Sequence, residues 1–258
     1  MDAMASAREA LAHRIAGGDA RLEAAFGRVP RERFLPPGIP AVRVYADETI
    51  ALGPPGLNNG QPSLHAMALR ALAPRPDERA LHVGAGSGYY TSVLAQLCRE
   101  VIAYEVDRDL AAWARRNLSE SPNIKVETRS GVIGPLPEAD VIYVNCGATG
   151  PQPAWIEALR PGGRLLFPLT ADDGSGSLLW IERPRVDAEL AEPGWPARLL
   201  MSVAFVPCAG ARRAEEAAAV GAALERGAPA AAAVRRLHRG VSPAAGAWCA
   251  GEGWWLGA

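Results

Sequence analysis

The sequence has little excess charge, few cysteines and no long apolar run, and each shortage closes off a class of function. Lys plus Arg number 27 and Asp plus Glu 28, for a net charge of −1 over 258 residues. No bulk positive field therefore draws the chain to a nucleic-acid backbone or an anionic membrane. No stretch reaches the roughly 18 apolar residues of a membrane-spanning helix. Met1 to Arg14 alternates Ala with Asp, Arg and Glu and has no apolar signal core. The cysteines (Cys98, Cys146, Cys208 and Cys249) lie far apart without metal-ligand spacing. They read as reduced, buried thiols, and the protein is expected in the cytoplasm with no metal, nucleic-acid or membrane partner.

What is present is enough to bury a full core, and the order of elements points to its class. Ala, Leu, Ile and Phe recur at helical spacing from Ala5 to Phe26, and Gly17, Gly18 and Asp19 split that run in two, with Asp19 capping the second helix. Pro30, Pro36, Pro37 and Pro40 impose an extended or turning path. A short strand is expected at Thr49 to Leu52, a loop from Gly53 to Pro62, and a helix from Leu64 to Leu72 capped by Ser63. From Arg79 onward, strand and helix alternate. Strands are expected at Ala80–Val83, Val101–Glu105, Ile124–Thr128, Val141–Val144 and Arg164–Pro168, and helices at Tyr90–Leu97, Asp109–Leu118 and Trp155–Leu159. Such alternation specifies a parallel sheet with helices on both faces. Further on, Leu178–Glu182 and Ser202–Val206 read as strands, Arg213–Arg226 as an Ala-rich helix and Trp248–Leu256 as a hairpin around Gly251. Asp172 to Ser177 reads as a flexible loop.

The sharpest chemical signal is Leu81-His82-Val83-Gly84-Ala85-Gly86-Ser87-Gly88-Tyr89-Tyr90, between a strand and a helix. Glycines there allow a tight turn and close approach of a ligand to the backbone. Tyr89 breaks the GxGxxG dinucleotide pattern and disfavours a nicotinamide-dependent reductase. No Lys-Ser or Lys-Thr pair makes a P-loop. Glu105, at the end of the next strand, is placed to accept hydrogen bonds from both hydroxyls of a ribose.

On these residues the chain resembles the protein-L-isoaspartate O-methyltransferase family, within the class I methyltransferases, from about Leu22 to Thr170. Val29-Pro30-Arg31-Glu32-Arg33-Phe34 is similar to that family's VPRE-x-F segment. A loop ending in Pro62 is followed by His65-Ala66, Gly84 to Tyr89 is similar to GTGSGY, and Leu159 to Leu165 is similar to LKPGGRL. The resemblance implies an α/β, Rossmann-like doubly wound sheet with S-adenosyl-L-methionine as cofactor. It is expected to carry a helical N-terminal segment and loop (1–62), a core (63–207) and a C-terminal extension (208–258). It implies cofactor contacts from His82, Gly84, Ala85, Gly86, Gly88, Tyr89, Glu105, Val106, Ser130, Gly131 and Asn145, and catalytic, acceptor-side positions at Asn58, Asn59, Gly60 and Gln61.

Three positions depart from the family pattern. His82 stands where an acid usually precedes the glycines, Gly60 stands where the acceptor loop carries a serine, and Arg129-Ser130-Gly131 replaces a Gly-Asp-Gly turn whose acid faces the adenine. His82 reads either as a protonated partner for the methionine carboxylate or as a hydrogen-bonded core residue. Asn58, Asn59 and Gln61 read either as turn formers or as a rebuilt polar pocket. Tyr89 and Tyr90 offer a ring for the sulfonium, with one of the pair expected in the core. The expected reaction is O-methylation of a protein or peptide carboxylate, which is already ionised at neutral pH and needs no general base. The competing readings are a different acceptor (a modified peptide or a small-molecule acid) and a degenerate domain that binds without turnover.

Overall fold

The computed structural model describes residues 3–53, 55–185, 194–240 and 242–258. Pro54, within the expected loop, lies outside them. The chain forms two compact units, residues 1–129 and 130–258.

The first unit opens with α1 (Ala3–Ala16) and α2 (Ala20–Arg28), separated by Gly17 and Gly18, both at positive φ. Asp19 caps α2 as expected: its side chain accepts from the amides of Arg21 at 2.9 Å and Leu22 at 3.1 Å. The proline-rich stretch is not simply extended. It holds a 3-10 turn at Arg31–Phe34 and a single helical turn, α3 (Ala41–Val44), each following a proline that pre-sets φ. The expected strand at Thr49–Leu52 reduces to one antiparallel bridge, Ala51 to Asn58. Leu52 N donates to Leu57 O (3.0 Å) and Asn59 N to Ile50 O (2.8 Å), so the segment closes on itself as a short loop.

Next come α4 (Pro62–Leu72), β1 (Arg79–Val83), α5 (Tyr89–Ala95), β2 (Glu100–Tyr104), α6 (Arg108–Asn117) and β3 (Ile124–Glu127). Gln61, rather than Ser63, occupies the cap position of α4, with Pro62 first in the helix. The Ser63 amide donates instead to Asp47 Oδ1 at 2.8 Å, so a side chain from elsewhere satisfies one of the helix's orphan donors. In this unit the strands run β3-β2-β1, all parallel. Helices α5 and α6 pack on β2 and β3.

The second unit contains β4 (Ala139–Val144), α7 (Pro153–Ala158), β5 (Leu159–Thr170), β6 (Ser175–Glu182), β7 (Trp195–Ala204), α8 (Ala214–Glu225), α9 (Gly227–Ala232), β8 (Arg236–Arg239), β9 (Cys249–Gly251) and β10 (Trp254–Gly257). Its strand order is β4-β5-β6-β7-β8-β10-β9. Among its described strands β4 pairs with β5 in parallel, and the later strand pairings are antiparallel. Pro161-Gly162-Gly163 lies inside β5, which therefore starts before the expected Arg164. The segment kinks a continuous β5, pinned by Gly162 N to Arg183 O (2.7 Å) and Arg183 N to Gly163 O (2.9 Å). Asp172 to Ser177 is a closed turn rather than a loose loop. Gly174 takes φ 83°, and Asp173 Oδ1 accepts from Ser175 N (2.9 Å) and Oγ (2.6 Å). Strand β7 begins earlier than expected, and α9 and β8 were not foreseen at all. The hairpin of β9 and β10 turns at Glu252-Gly253, close to the expected Gly251.

Asp19→Ala removes a cap that holds two amides, and is expected to lower stability by about 1 kcal/mol. Urea unfolding at constant m-value checks this.

Candidate active site

Strand β1 runs into the glycine turn, whose shape needs positive φ at three places: Gly84 (78°), Gly86 (55°) and Gly88 (96°). The amides of Gly84 and Ala85 both donate to Tyr104 O, at 2.9 and 3.1 Å, which ties the turn to the end of β2. A Cβ on Gly88 would lie 2.8 Å from Leu118 Cδ1, so only glycine lets α5 start this close to the end of α6.

Glu105 follows β2 and is 7% exposed. Its Oε2 accepts from Gly86 N (2.7 Å) and its Oε1 from Asp107 N (3.0 Å). Each carboxylate oxygen keeps a further lone pair for a ligand hydroxyl. Burial raises its pKa, and the amides of Asp107, Gly86 and Val106 only partly offset that. Val106 beside it presents an apolar side chain that is 52% exposed.

Asn59, Gly60 and Tyr90 are brought together with this turn. Asn59 Nδ2 donates to Ser87 Oγ at 3.4 Å, and Tyr90 Oη donates to Gly60 O at 3.1 Å. Asn58 and Gln61 are exposed. Asn58 Oδ1 accepts from Gly60 N at 2.9 Å, an Asx turn, and Gln61 Nε2 donates to Asp47 Oδ2 at 3.1 Å. Tyr89 is core: its ring packs against Phe26, Phe34 and Tyr90 at centroid distances of 6.4, 5.7 and 4.8 Å. His82 is fully buried, with Nδ1 2.8 Å from Thr91 Oγ1, and burial pushes its pKa down to about 3. It is therefore neutral at physiological pH and supplies no positive charge.

The residue the sequence reading passed over is Arg31, quoted only as part of a motif. Its guanidinium has no solvent exposure, and all five of its N–H groups find acceptors. Nε donates to Asn59 Oδ1 (3.0 Å), Nη1 to the carbonyls of Val44 (3.0 Å) and Ala46 (3.1 Å), and Nη2 to those of Glu48 (2.9 Å) and Gly60 (3.0 Å). Four of these five acceptors are backbone carbonyls 13 to 29 residues away, which no local pattern encodes. The one available signal was its place directly after Pro30 in the quoted segment.

Gly60 also has a steric reason. It sits at φ 51°, and a Cβ there would fall 2.1 Å from His65 Nε2. His65 is itself buried and stacked on Tyr90, with centroids 3.5 Å apart at 10°. Burial, with His82 and Arg31 nearby, holds its pKa well below the usual imidazole value. The space beside residue 60 thus belongs to a neutral His65 ring.

In the second unit, Ser130 Oγ accepts from Val132 N (3.1 Å), and Gly131 O accepts from the Trp155 indole (2.7 Å). Asn145 follows β4 directly and is half-buried. All four cysteines are free and buried, and no cluster of metal-ligating side chains occurs among the described residues.

Parallel strands alternating with helices, a glycine turn opening a helix and an acid ending the next strand define a Rossmann-like protein of the class I methyltransferase type. More narrowly, the chain belongs to the protein-L-isoaspartate(D-aspartate) O-methyltransferase family, whose model matches residues 8–213. It is 36% identical over 197 residues to protein-L-isoaspartate O-methyltransferase 2 of Marinobacter nauticus, covering 74% of this chain and 86% of the relative. It is 33% identical over 196 residues to the Myxococcus xanthus protein-L-isoaspartate O-methyltransferase, covering 74% and 90%. A solved protein-L-isoaspartate O-methyltransferase superposes with a TM-score of 0.71 at 23% identity, over 85% of this chain and 68% of the other. A Plasmodium falciparum protein assigned to the same activity, solved with S-adenosyl-L-homocysteine, gives 0.65 at 23% identity, over 79% and 97%.

Gly60→Ser is expected to destabilise by about 1–3 kcal/mol, from overpacking against His65 and left-handed strain. Combined with His65→Ala, the loss should be at least about 0.5 kcal/mol smaller than the sum of the single changes. A double-mutant cycle by chemical denaturation measures this; strict additivity would show that Gly60 and His65 do not compete for the same space.

Proposed function

We propose that the protein transfers a methyl group from S-adenosylmethionine to a carboxylate of a protein or peptide. The observation that carries this reading is Glu105, a buried acid held by the amides of the glycine turn and of its own loop, with both oxygens still able to accept. The relatives' assigned activity and the adenosyl ligand of the Plasmodium protein support it. In this reading Glu105 receives the ribose hydroxyls, Gly84, Ala85, Gly86 and Gly88 give the backbone its close approach, and Val106 offers an apolar edge to the base. His82 and Tyr89 support the turn from the core. Ser130, Gly131 and Asn145 are carried as cofactor contacts on the family resemblance alone.

When bound, S-adenosylmethionine would supply an electrophilic methyl group, whose passage to a carboxylate oxygen would form a C–O bond as the S–C bond breaks and S-adenosylhomocysteine leaves. The chain's own contribution is positioning and exclusion of water, which suffices where the nucleophile is already ionised. Asn59 and Gly60, fixed by Arg31, Ser87 and Tyr90, form the side we assign to the acceptor, with Asn58 and Gln61 at its exposed rim. The His65 ring beside Gly60 favours a second reading for the acceptor alone: a carboxylate other than isoaspartate, on a modified peptide or a small acid. Free, buried cysteines suit the reducing cytoplasm we propose for it.

Calorimetry should show micromolar binding of S-adenosylmethionine and S-adenosylhomocysteine, and none of NAD. Glu105→Gln should weaken it about tenfold, or about 1.4 kcal/mol. The wild-type affinity should fall on acidification as the raised Glu105 pKa is crossed, because the ribose hydroxyls need an ionised acceptor. In Glu105→Gln that dependence should be lost. Absence of adenosyl binding would refute the reading; with binding established, isoaspartyl, aspartyl and glutamyl peptides are compared as acceptors.

A further inference from the structure

The glycine turn of the first unit joins two stems, β1 and α5, and three of its five residues are glycines at positive φ. Glycine has more conformational freedom to lose than any other residue, so such a turn does not define its own span. Tyr104 O and Glu105 hold the amides of Gly84, Ala85 and Gly86. Ser87 O accepts from Asn117 Nδ2 at 2.9 Å, and Gly88 N donates back to Ala85 O at 2.9 Å. Each of these bonds fixes a point on the turn. None of them ties one stem to the other.

His82 and Thr91 make that tie. His82 stands two residues before Gly84, and Thr91 stands three after Gly88, in the first turn of α5. His82 Nδ1 lies 2.8 Å from Thr91 Oγ1, and neither residue has any solvent exposure. Water therefore cannot take the place of this bond, and losing one partner leaves a buried polar atom of the other poorly met. A hydroxyl both donates and accepts, so the bond forms with either tautomer of a neutral ring. His82 thereby has a task that needs no charge, which suits a ring kept neutral by burial.

We propose that Thr91 is a positioning residue for the cofactor: its bond to His82 straps the two stems together and sets the span of the glycine turn, and so the backbone cradle that the adenosyl ligand enters. This rests on the methyltransferase reading, which puts S-adenosylmethionine at that turn. A cradle held in its bound shape spares the ligand the cost of ordering it, so loss of the strap appears as weaker cofactor binding.

The test uses the full-length protein, with S-adenosylhomocysteine titrated by calorimetry into the wild type, Thr91→Val, Thr91→Ser and His82→Leu. Thr91→Val keeps the branching of the side chain and removes the hydroxyl. It should weaken S-adenosylhomocysteine about tenfold, as should His82→Leu, while Thr91→Ser should stay within about twofold of the wild type. Without ligand, the amides of Gly86 and Gly88 should exchange faster in Thr91→Val, while those of β1 and β2 stay protected. A purely structural pair would lower the melting temperature of Thr91→Val and leave its affinity and the exchange at Gly86 and Gly88 unchanged. That result would overturn the proposal, and so would weaker binding with unchanged exchange, or a Thr91→Ser protein as weak as Thr91→Val. Should Thr91→Val not fold, His82→Leu carries the same comparison. If the wild type itself binds no adenosyl ligand, the cofactor reading fails and the proposal falls with it. Wild-type binding that Thr91→Val leaves intact sinks the proposal alone.

Discussion

The interaction on which the Asn59–Gly60 segment depends is the burial of Arg31. A guanidinium withdrawn from water is expensive, and among the described residues no carboxylate pairs with it. It is tolerated because five acceptors meet its five donors, four of them backbone carbonyls. The reverse also holds. Beyond α3, the described residues from Tyr45 to Gly60 hold one β-bridge and no helix, so their carbonyls need a donor. The cation and the loop satisfy each other, and the loop's path follows from where Arg31 sits. The position of Arg31 is fixed in turn by the 3-10 turn after Pro30 and by the Tyr89 ring, 5.8 Å from its Cζ.

The glycine turn works by a different economy. It is held mainly by its own backbone and by Glu105, groups within about two elements of one another in sequence. A buried acid bonded to amides from the turn and from its own loop is rigid before any ligand arrives, which is the condition for orienting a ribose without further ordering. The two halves of the first unit's candidate site thus have different origins. One half is local and glycine-driven; the other is long-range and built on one cation.

That difference decides what could be read in advance. The placement of Gly84, Gly86, Gly88 and Glu105 was legible because strand, turn and strand follow in order, and so were the split of the first helical run at Gly17-Gly18 and the cap of α2 at Asp19. Arg31 was not, because its partners are main-chain atoms far along the chain. The His65–Tyr90 stack that fills the space beside Gly60 was invisible for the same reason: a missing serine shows in sequence, but what replaces it does not. The later strands were harder again. Helical and strand periods separate cleanly only where elements are long and amphipathic, and α9 and β8 span a few residues each. The pairing of β7 with β8 joins segments at least 40 residues apart, Trp195 with Leu237 and Pro196 with Arg236, so it belongs to tertiary structure alone.

Whether Arg31 holds the loop is open to direct measurement. Amide hydrogen exchange should be compared between the wild type and Arg31→Lys, which keeps the charge but offers three donors on a point cation in place of a planar fork. Exchange across residues 44–60 is predicted to accelerate about tenfold or more, a local loss of about 1.4 kcal/mol, while the amides of β1 and β2 stay protected. Unchanged protection across 44–60 in a folded Arg31→Lys protein would contradict it, and the loop would have to owe its shape to its own turns.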